Sequence, residues 1–173
     1  KKDLGGNYLP IIAEDLGVIT PDVEKLRENF ELPGMKILQF AFDGNEDNPY
    51  LPKNIEGENW VVFTGTHDNS TSISWWKCLD NNSKKRIKDN YKFSENPSWS
   101  LIEIGMRTKA NLFVAPIQDI LCLDDSCRYN RPGTTKNNWS WKLNRPLEEI
   151  DDKLRIFSEI GNNTGRTRNY GLI

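Results

Sequence analysis

Residues 60–69 read WVVFTGTHDN, and this stretch contains the pattern on which the fold prediction rests. Valine and aromatic residues dominate its first half and predict a buried strand over Trp60–Gly65. The second half is polar and places His67, the single histidine of the chain, directly before Asp68. A helical pattern begins near Ser70, so the stretch has the strand, polar exit and helix of a β/α unit.

The same alternation of strand and helix extends along the chain in both directions. Further strands are predicted at Tyr8–Glu14, at Met35–Phe42 and at Leu112–Leu121, the last interrupted by Pro116. Four parallel β/α units would make half of a (β/α)8 TIM barrel, which in full takes about 250 residues. The sequence therefore predicts an α/β fold in which residues 1–173 form one partial barrel domain rather than a self-contained fold.

Helices are predicted between and after these strands. They open at Thr20-Pro21 and Pro146 and cover Ser70–Leu79, Lys84–Tyr91 and Ser100–Ala110. Ser100 and Glu103 fit a capping box. Apolar spacing predicts buried stripes on the first and last helices, formed by Val23, Leu26 and Phe30 and by Leu147, Ile150, Leu154 and Phe157.

Composition excludes several classes of protein. A net charge of −2 offers no field that would attract a polyanion, so nucleic acid is not expected as a partner. No apolar run approaches the ~20 residues of a membrane span, and no signal peptide is visible. The three cysteines are an odd number, which argues against a disulfide framework. Cys122 and Cys127 would have only His67 to complete a zinc site, so no metal is predicted.

Carboxylates follow the predicted strands at the end where barrels carry their chemistry. Glu14 and Asp15 end the first strand, Asp43 follows the second, and Asp68 follows the third. Paired carboxylates in a cleft with aromatic residues suggest cleavage of a glycosidic bond. One carboxyl must then protonate the leaving oxygen, while another stays ionised beside the oxocarbenium-like centre.

The pattern alone leaves structural interpretations open for each of these residues. Carboxylates at strand ends are commonly loop or helix-cap residues, and Asp68-Asn69-Ser70 could simply cap the next helix. His67 and Asp68 could form a structural pair, Phe40 could belong to the core, and Trp139 could pack its own loop.

Four ordered blocks of sequence carry a specific resemblance. They are IIAEDLGVITPDV from residue 11, GMKILQFAFDGNEDNPYLPKN from residue 34, VVFTGTHDNSTSISWW from residue 61 and RYNRPGTTKNNWSWKL from residue 128. Together they resemble the C-terminal half of the 4-α-glucanotransferases (amylomaltase, or disproportionating enzyme) of glycoside hydrolase family 77. The resemblance implies a (β/α)8 barrel that transfers α-1,4-glucan segments between maltooligosaccharide, starch or glycogen chains, in the bacterial cytoplasm or the plastid stroma.

The resemblance also implies roles for individual residues. Glu14 would be the general acid/base at the exit of barrel strand five, and Asp68 the transition-state stabiliser after strand seven. His67 would hydrogen-bond the sugar in the central subsite, and Phe40 would line the acceptor side. Two weaker candidates for lining the cleft are Asn130 and Trp139. Neither a metal nor an organic cofactor is implied.

One departure from the family pattern limits what the chain is expected to do. The family's nucleophile is an aspartate on strand four, within an Arg-x-Asp-His-type motif that does not occur in residues 1–173. The chain is therefore expected to need the N-terminal half of the barrel and to be inactive alone. Two alternatives stay open, a non-catalytic glucan-binding fragment and a hydrolase of the α-amylase clan.

Overall fold

The computed structural model describes residues 11–166, which form a three-stranded parallel sheet with helices packed against it. The strands are β1 (Gly34–Ile37), β2 (Trp60–Phe63) and β3 (Leu112–Val114), in the order β1-β2-β3. Ile37 lies opposite Phe63, and Phe63 lies opposite Val114. Because the strands are parallel, their carboxyl ends lie at one edge of the sheet, as the sequence predicted.

Residues 11–166 contain six α-helices. They are α1 (Pro21–Asn29), α2 (Ser72–Cys78), α3 (Asn81–Tyr91), α4 (Pro97–Met106), α5 (Ile117–Ile120) and α6 (Asp151–Asn163). The predicted α/β alternation around residues 60–69 is confirmed, since β2 is followed by a polar loop and then by α2. Short 3-10 turns cover Leu38–Phe40, Pro52–Asn54, Asp125–Cys127 and Leu147–Ile150.

The two faces of the sheet have different surroundings. Val62 on one face belongs to the main hydrophobic core, where it is joined by Leu38, Ile87 from α3 and Leu101 from α4. A smaller cluster contains Ile102, Met106 and Ile120, and side chains of α6 pack against it. Side chains alternate between the two faces along a strand, and this alternation assigns Met35, Phe63 and Val114 to the opposite face. These three residues line the cavity described below.

The predicted first strand is wrong over the part that the structure describes. Residues 11–14 form no strand, and Ile11 and Ile12 are each 48% exposed. One backbone hydrogen bond, from Ala13 N to Pro33 O (2.9 Å), joins this segment to the residue before β1. A single bond does not make a ladder, and no described element covers the isoleucines. Residues 8–10 of the prediction lie outside the described residues.

The apolar stripes and several bounds also differ from prediction. The stripe predicted on α1 is wrong: Val23, Leu26 and Phe30 are exposed, because no described element packs over that face. The last stripe is largely confirmed, since Ile150 is buried and Leu154 and Phe157 pack against the smaller cluster, whereas Leu147 is exposed. The second strand stops at Ile37, where the apolar run turns into a 3-10 helix.

Proline explains two further corrections. The predicted fourth strand ends at Val114, because Pro116 cannot donate to a ladder and instead precedes α5. Helix α4 begins at Pro97 rather than Ser100, with Asn96 Oδ1 accepting from Trp99 N (3.1 Å). Proline is favoured at the first helical position, so Asn96 takes the capping role predicted for Ser100.

One buried carboxylate joins the carboxyl ends of β2 and β3 to the start of α2. Asp119 lies on α5, directly after β3, and is 2% exposed. Its Oδ2 accepts from Thr64 Oγ1 (2.5 Å) and Ser72 Oγ (2.7 Å), and its Oδ1 accepts from Ser72 N (2.7 Å). These bonds pin both ends of the loop between β2 and α2.

We expect Asp119→Asn to change the pH dependence of the free energy of unfolding. Burial raises the pKa of Asp119, against opposing hydrogen bonds from Thr64 and Ser72, so the folded chain holds this proton more tightly than the unfolded chain. The stability contributed by Asp119 is therefore fully present below the unfolded-state pKa and is lost as pH rises through the folded-state pKa. Because asparagine does not titrate, D119N should gain stability relative to the unchanged chain as pH rises from about 3.5 to 8.

Asp80 provides a control of opposite sign. It caps α3, and hydrogen bonds from Ser83 lower its pKa, so its contribution is lost as pH falls. D80N should therefore lose stability relative to the unchanged chain over the same rise in pH. Urea unfolding at several pH values measures both variants. A D119N profile parallel to that of the unchanged chain would contradict the expectation.

Candidate active site

The polar residues around the exits of the strands meet at one cavity of about 560 Å³. Met35, Phe63 and Val114 supply an apolar wall, and the polar side chains at its edge are Glu14, His67, Asp68 and Tyr129. A concave, largely apolar site with a few polar groups is the usual form of a small-molecule pocket. The two carboxylates singled out from the sequence, Glu14 and Asp68, therefore lie on the same cavity.

Glu14 is exposed and is held through its neighbour. Its own Oε1 accepts from Leu16 N (2.8 Å). Asp15 Oδ1 accepts from Met35 N (2.7 Å), and Asp15 Oδ2 lies 3.5 Å from Arg27 Nε. A side chain at Gly34 would place its Cβ 2.3 Å from Asp15 Oδ2, so the glycine is what lets Asp15 approach β1.

Asp68 stands on a compact turn between β2 and α2. Asn69 Oδ1 closes the turn by accepting from Thr66 N and from Thr66 Oγ1, both at 2.8 Å. Asp68 Oδ1 accepts from Asn130 Nδ2 (2.5 Å) and lies 3.3 Å from His67 Nε2. The helix-cap interpretation of Asp68 is wrong, because α2 is capped by Thr71, whose Oγ1 accepts from Ser74 N.

An aromatic group stands beside His67. The Trp139 ring is 64% exposed, lies 5.0 Å from the His67 ring and stacks on Tyr129 at 6.4 Å with an interplanar angle of 20°. Trp139 N donates to Tyr129 O (2.6 Å), which folds the loop back on itself, and Trp141 packs edge-on against Tyr129. Trp139 adopts φ +58°, a conformation that large side chains rarely take. The loop therefore presents an indole face next to His67.

Phe40 lies elsewhere. It is partly exposed, packs edge-on against Tyr50 at 5.6 Å and is not among the described residues that line the cavity. Of the six residues predicted for the site, the structure thus brings Glu14, His67 and Asp68 to one cavity, adds Asn130 and Trp139 through direct contacts, and leaves Phe40 apart.

Two supporting residues were missed by sequence reasoning. Tyr129 lines the cavity, and Arg128 donates from Nη2 to Asp68 O (2.5 Å). The signal was the RYN of the fourth sequence block, where only Asn130 was singled out. An arginine that binds the backbone of a distant loop leaves no local periodicity or spacing to detect.

Two absences apply to the described part of the chain. Within residues 11–166, the His, Cys, Asp and Glu side chains form no group of three or more that could hold a metal ion. None of the helices in that range combines the length and apolar composition needed to cross a membrane.

Solved structures include a close match in fold. The amylomaltase from Streptococcus agalactiae, solved in complex with acarbose, superposes with a TM-score of 0.87 at 29% identity. The match covers 96% of this chain and 34% of that protein.

Sequence comparisons agree with this match. The 4-alpha-glucanotransferase of Synechocystis sp. is 49% identical over 156 residues, which cover 88% of this chain and 30% of that protein. The chloroplastic/amyloplastic 4-alpha-glucanotransferase of Arabidopsis thaliana is 44% identical over 158 residues, covering 87% of this chain and 27% of that protein. The chain therefore spans less than a third of the length of these relatives.

The sequence profile of 4-alpha-glucanotransferases, glycoside hydrolase family 77, matches residues 1–148. This confirms the resemblance drawn from the four sequence blocks. On the combined evidence of profile, relatives and fold, this chain belongs to the 4-alpha-glucanotransferase family.

Proposed function

We propose that a protein containing this chain is a retaining 4-α-glucanotransferase that moves α-1,4-glucan segments between maltooligosaccharide, starch or glycogen chains. The observation that carries the proposal is the placement of Glu14 and Asp68 on one cavity of about 560 Å³ in a chain of this family. Family membership supplies the reaction class, and the shared cavity gives the two carboxylates a common substrate.

Glu14 is the general acid/base of the proposed reaction. In the first half-reaction its carboxyl proton passes to the glycosidic oxygen while a nucleophilic aspartate from another part of the enzyme bonds to the anomeric carbon. The released chain carries the proton away, and the glucan remains as a covalent glucosyl intermediate. In the second half, Glu14 takes the proton of an acceptor hydroxyl as that oxygen displaces the aspartate.

Asp68 stabilises the positive charge that develops at the anomeric centre between these states. Its neighbours support this role: Asn130 donates to the carboxylate, and His67 lies against it with half of its side chain exposed. His67 and Asn130 can also donate to sugar hydroxyls. The exposed indole of Trp139 offers a flat face on which a glucose ring can stack. Acarbose in the S. agalactiae relative supports a cavity suited to α-glucans.

The three strands are proposed to be part of a (β/α)8 barrel, the described portion of its strands five to eight. The parallel order of the strands and a cavity on one face of the sheet support this architecture. The exposed apolar residues of the N-terminal segment and α1 support a further barrel half as their cover: Ile11, Ile12, Val23, Leu26 and Phe30. The compartment proposed is the bacterial cytoplasm or the plastid stroma, as for bacterial and chloroplastic relatives.

Glu14→Gln in an enzyme of full family length that contains this chain should lower transfer by about 10²–10⁴-fold or more, because the residue acts in both half-reactions. The measurement is maltotriose disproportionation, with glucose and longer oligosaccharides separated so that transfer and hydrolysis are counted apart. Glu56→Gln, a like change in an exposed loop, should leave the rate unchanged. Transfer by E14Q within tenfold of the unchanged enzyme would rule out the role.

Residues 1–173 alone should not disproportionate maltotriose. The chain contains the acid/base and the stabiliser but no Arg-x-Asp-His-type motif, so the covalent intermediate lacks its nucleophile. Incubation of the purified chain with maltotriose should yield neither glucose nor longer oligosaccharides, while the enzyme of full family length yields both. Product formation by the chain alone, abolished by E14Q, would show that a nucleophile lies within these residues.

A further inference from the structure

The Arg128 guanidinium lies between two loops of the site, one that contains Asp68 and one that contains Asp125 and Asn130. Its side chain is only 15% exposed. Nη2 donates to Asp68 O (2.5 Å) and Nε donates to Asn130 O (2.8 Å). Nη1 donates to Ser70 Oγ (3.2 Å) and to Asp125 Oδ2 (3.3 Å). One planar group thus binds four acceptors on both loops.

Asp125 fixes the guanidinium from the other side. Its Oδ1 accepts from Thr71 N (2.9 Å), and its Oδ2 accepts from Ser70 Oγ (3.1 Å). Its own backbone N donates to Ser74 Oγ (2.9 Å) on α2. The carboxylate that pairs with Arg128 is therefore itself held by the loop and the helix that follow Asp68.

The two carbonyls bound by Arg128 belong to residues whose side chains touch. Asn130 Nδ2 donates to Asp68 Oδ1 at 2.5 Å, so the guanidinium sets the backbone at both ends of this side-chain contact. The described wall of the large cavity includes Asp68 and Tyr129 but not Arg128. Arg128 thus contacts the residues at this cavity without being part of the cavity wall.

We propose that Arg128 is a positioning residue that aligns the Asp68 carboxylate with Asn130 at the reacting centre. The inference rests on the proposed function for the role of Asp68. Lysine cannot replace Arg128 in this role, because a single ammonium lacks the planar guanidinium fork that reaches two carbonyls and a carboxylate in different directions. A displacement of the order of 1 Å at a catalytic group can cost about 10²-fold in rate.

The test uses an enzyme of full family length that contains this chain, assayed by maltotriose disproportionation. Arg128→Lys should lower kcat by about 10–100-fold with KM within about threefold, because Asp68 acts on the transition state while the sugar contacts remain. Arg128→Ala should regain activity when guanidinium ion is added at millimolar concentration, a rescue that a merely structural role would not show. Arg131→Lys is the matched control, since Arg131 is exposed and its side chain, among the contacts described, binds only the backbone oxygen of Asp125.

The outcomes separate the two proposals. Asp68→Asn should abolish transfer, and near-normal transfer by D68N would overturn the proposed function itself. If D68N is inactive while R128K keeps kcat within twofold of the unchanged enzyme, only the positioning inference is overturned. Should R128K fail to fold, Asp125→Asn decides, because it removes the charge that holds the guanidinium and leaves an oxygen for Thr71 N. A fall in D125N kcat of threefold or more at constant KM supports the inference, and an unchanged kcat overturns it.

Discussion

The arrangement of the site depends on the buried carboxylate of Asp119. It accepts from Thr64, the residue after β2, and from Ser72, the first residue of α2. Residues 65–71, which include His67 and Asp68, therefore form a loop whose two flanking residues both bind the Asp119 side chain. Asp119 lies on α5, the helix that follows β3, so the same carboxylate ties the carboxyl ends of neighbouring strands together. Because an unpaired buried donor costs about 1–3 kcal/mol, loss of this carboxylate would leave three donors without their partner.

A second polar layer holds the middle of that loop. Arg128 and Asp125 bind Asp68 O, Ser70 Oγ and Thr71 N, none of which Asp119 reaches. Both layers use ionisable side chains that are largely removed from water. Away from water, each hydrogen bond is stronger and each lost partner is more costly. Asp68 is thus half exposed on a support that is mostly buried. This combination suits the stabilising role proposed for Asp68.

The sequence predicted what is encoded locally. The strand β2, its polar exit and α2 follow from valine and aromatic content, polar residues and a helical pattern within a short window, and the placement of Asp68 after a strand came from the same window. The failed predictions concern residues that only a distant part of a protein could bury. Apolar spacing predicted burial of Ile11, Ile12 and the stripe of α1, but spacing does not show which surface covers them. Asp119 and Arg128 were missed because their partners lie about 50 and 60 positions away. Family resemblance, rather than periodicity, assigned roles to Glu14 and Asp68.

The two carboxylates of the site are held to very different degrees. Asp68 is fixed by backbone and side-chain bonds from two loops, whereas Glu14 is placed by one neighbour, Asp15, which bonds Met35 N and pairs with Arg27. The Arg27 guanidinium in turn lies 4.3 Å from the centroid of the Trp60 ring at the start of β2, so Asp15 is also connected to the sheet through Arg27. The difference matches the proposed chemistry. A stabiliser must keep one geometry throughout the reaction, while an acid/base must serve a leaving oxygen and then an incoming one. The exit of β2 therefore sets where Asp68 stands, the contacts of Asp15 with β1 and Arg27 set where Glu14 stands, and the long-range polar contacts set how firmly each is held.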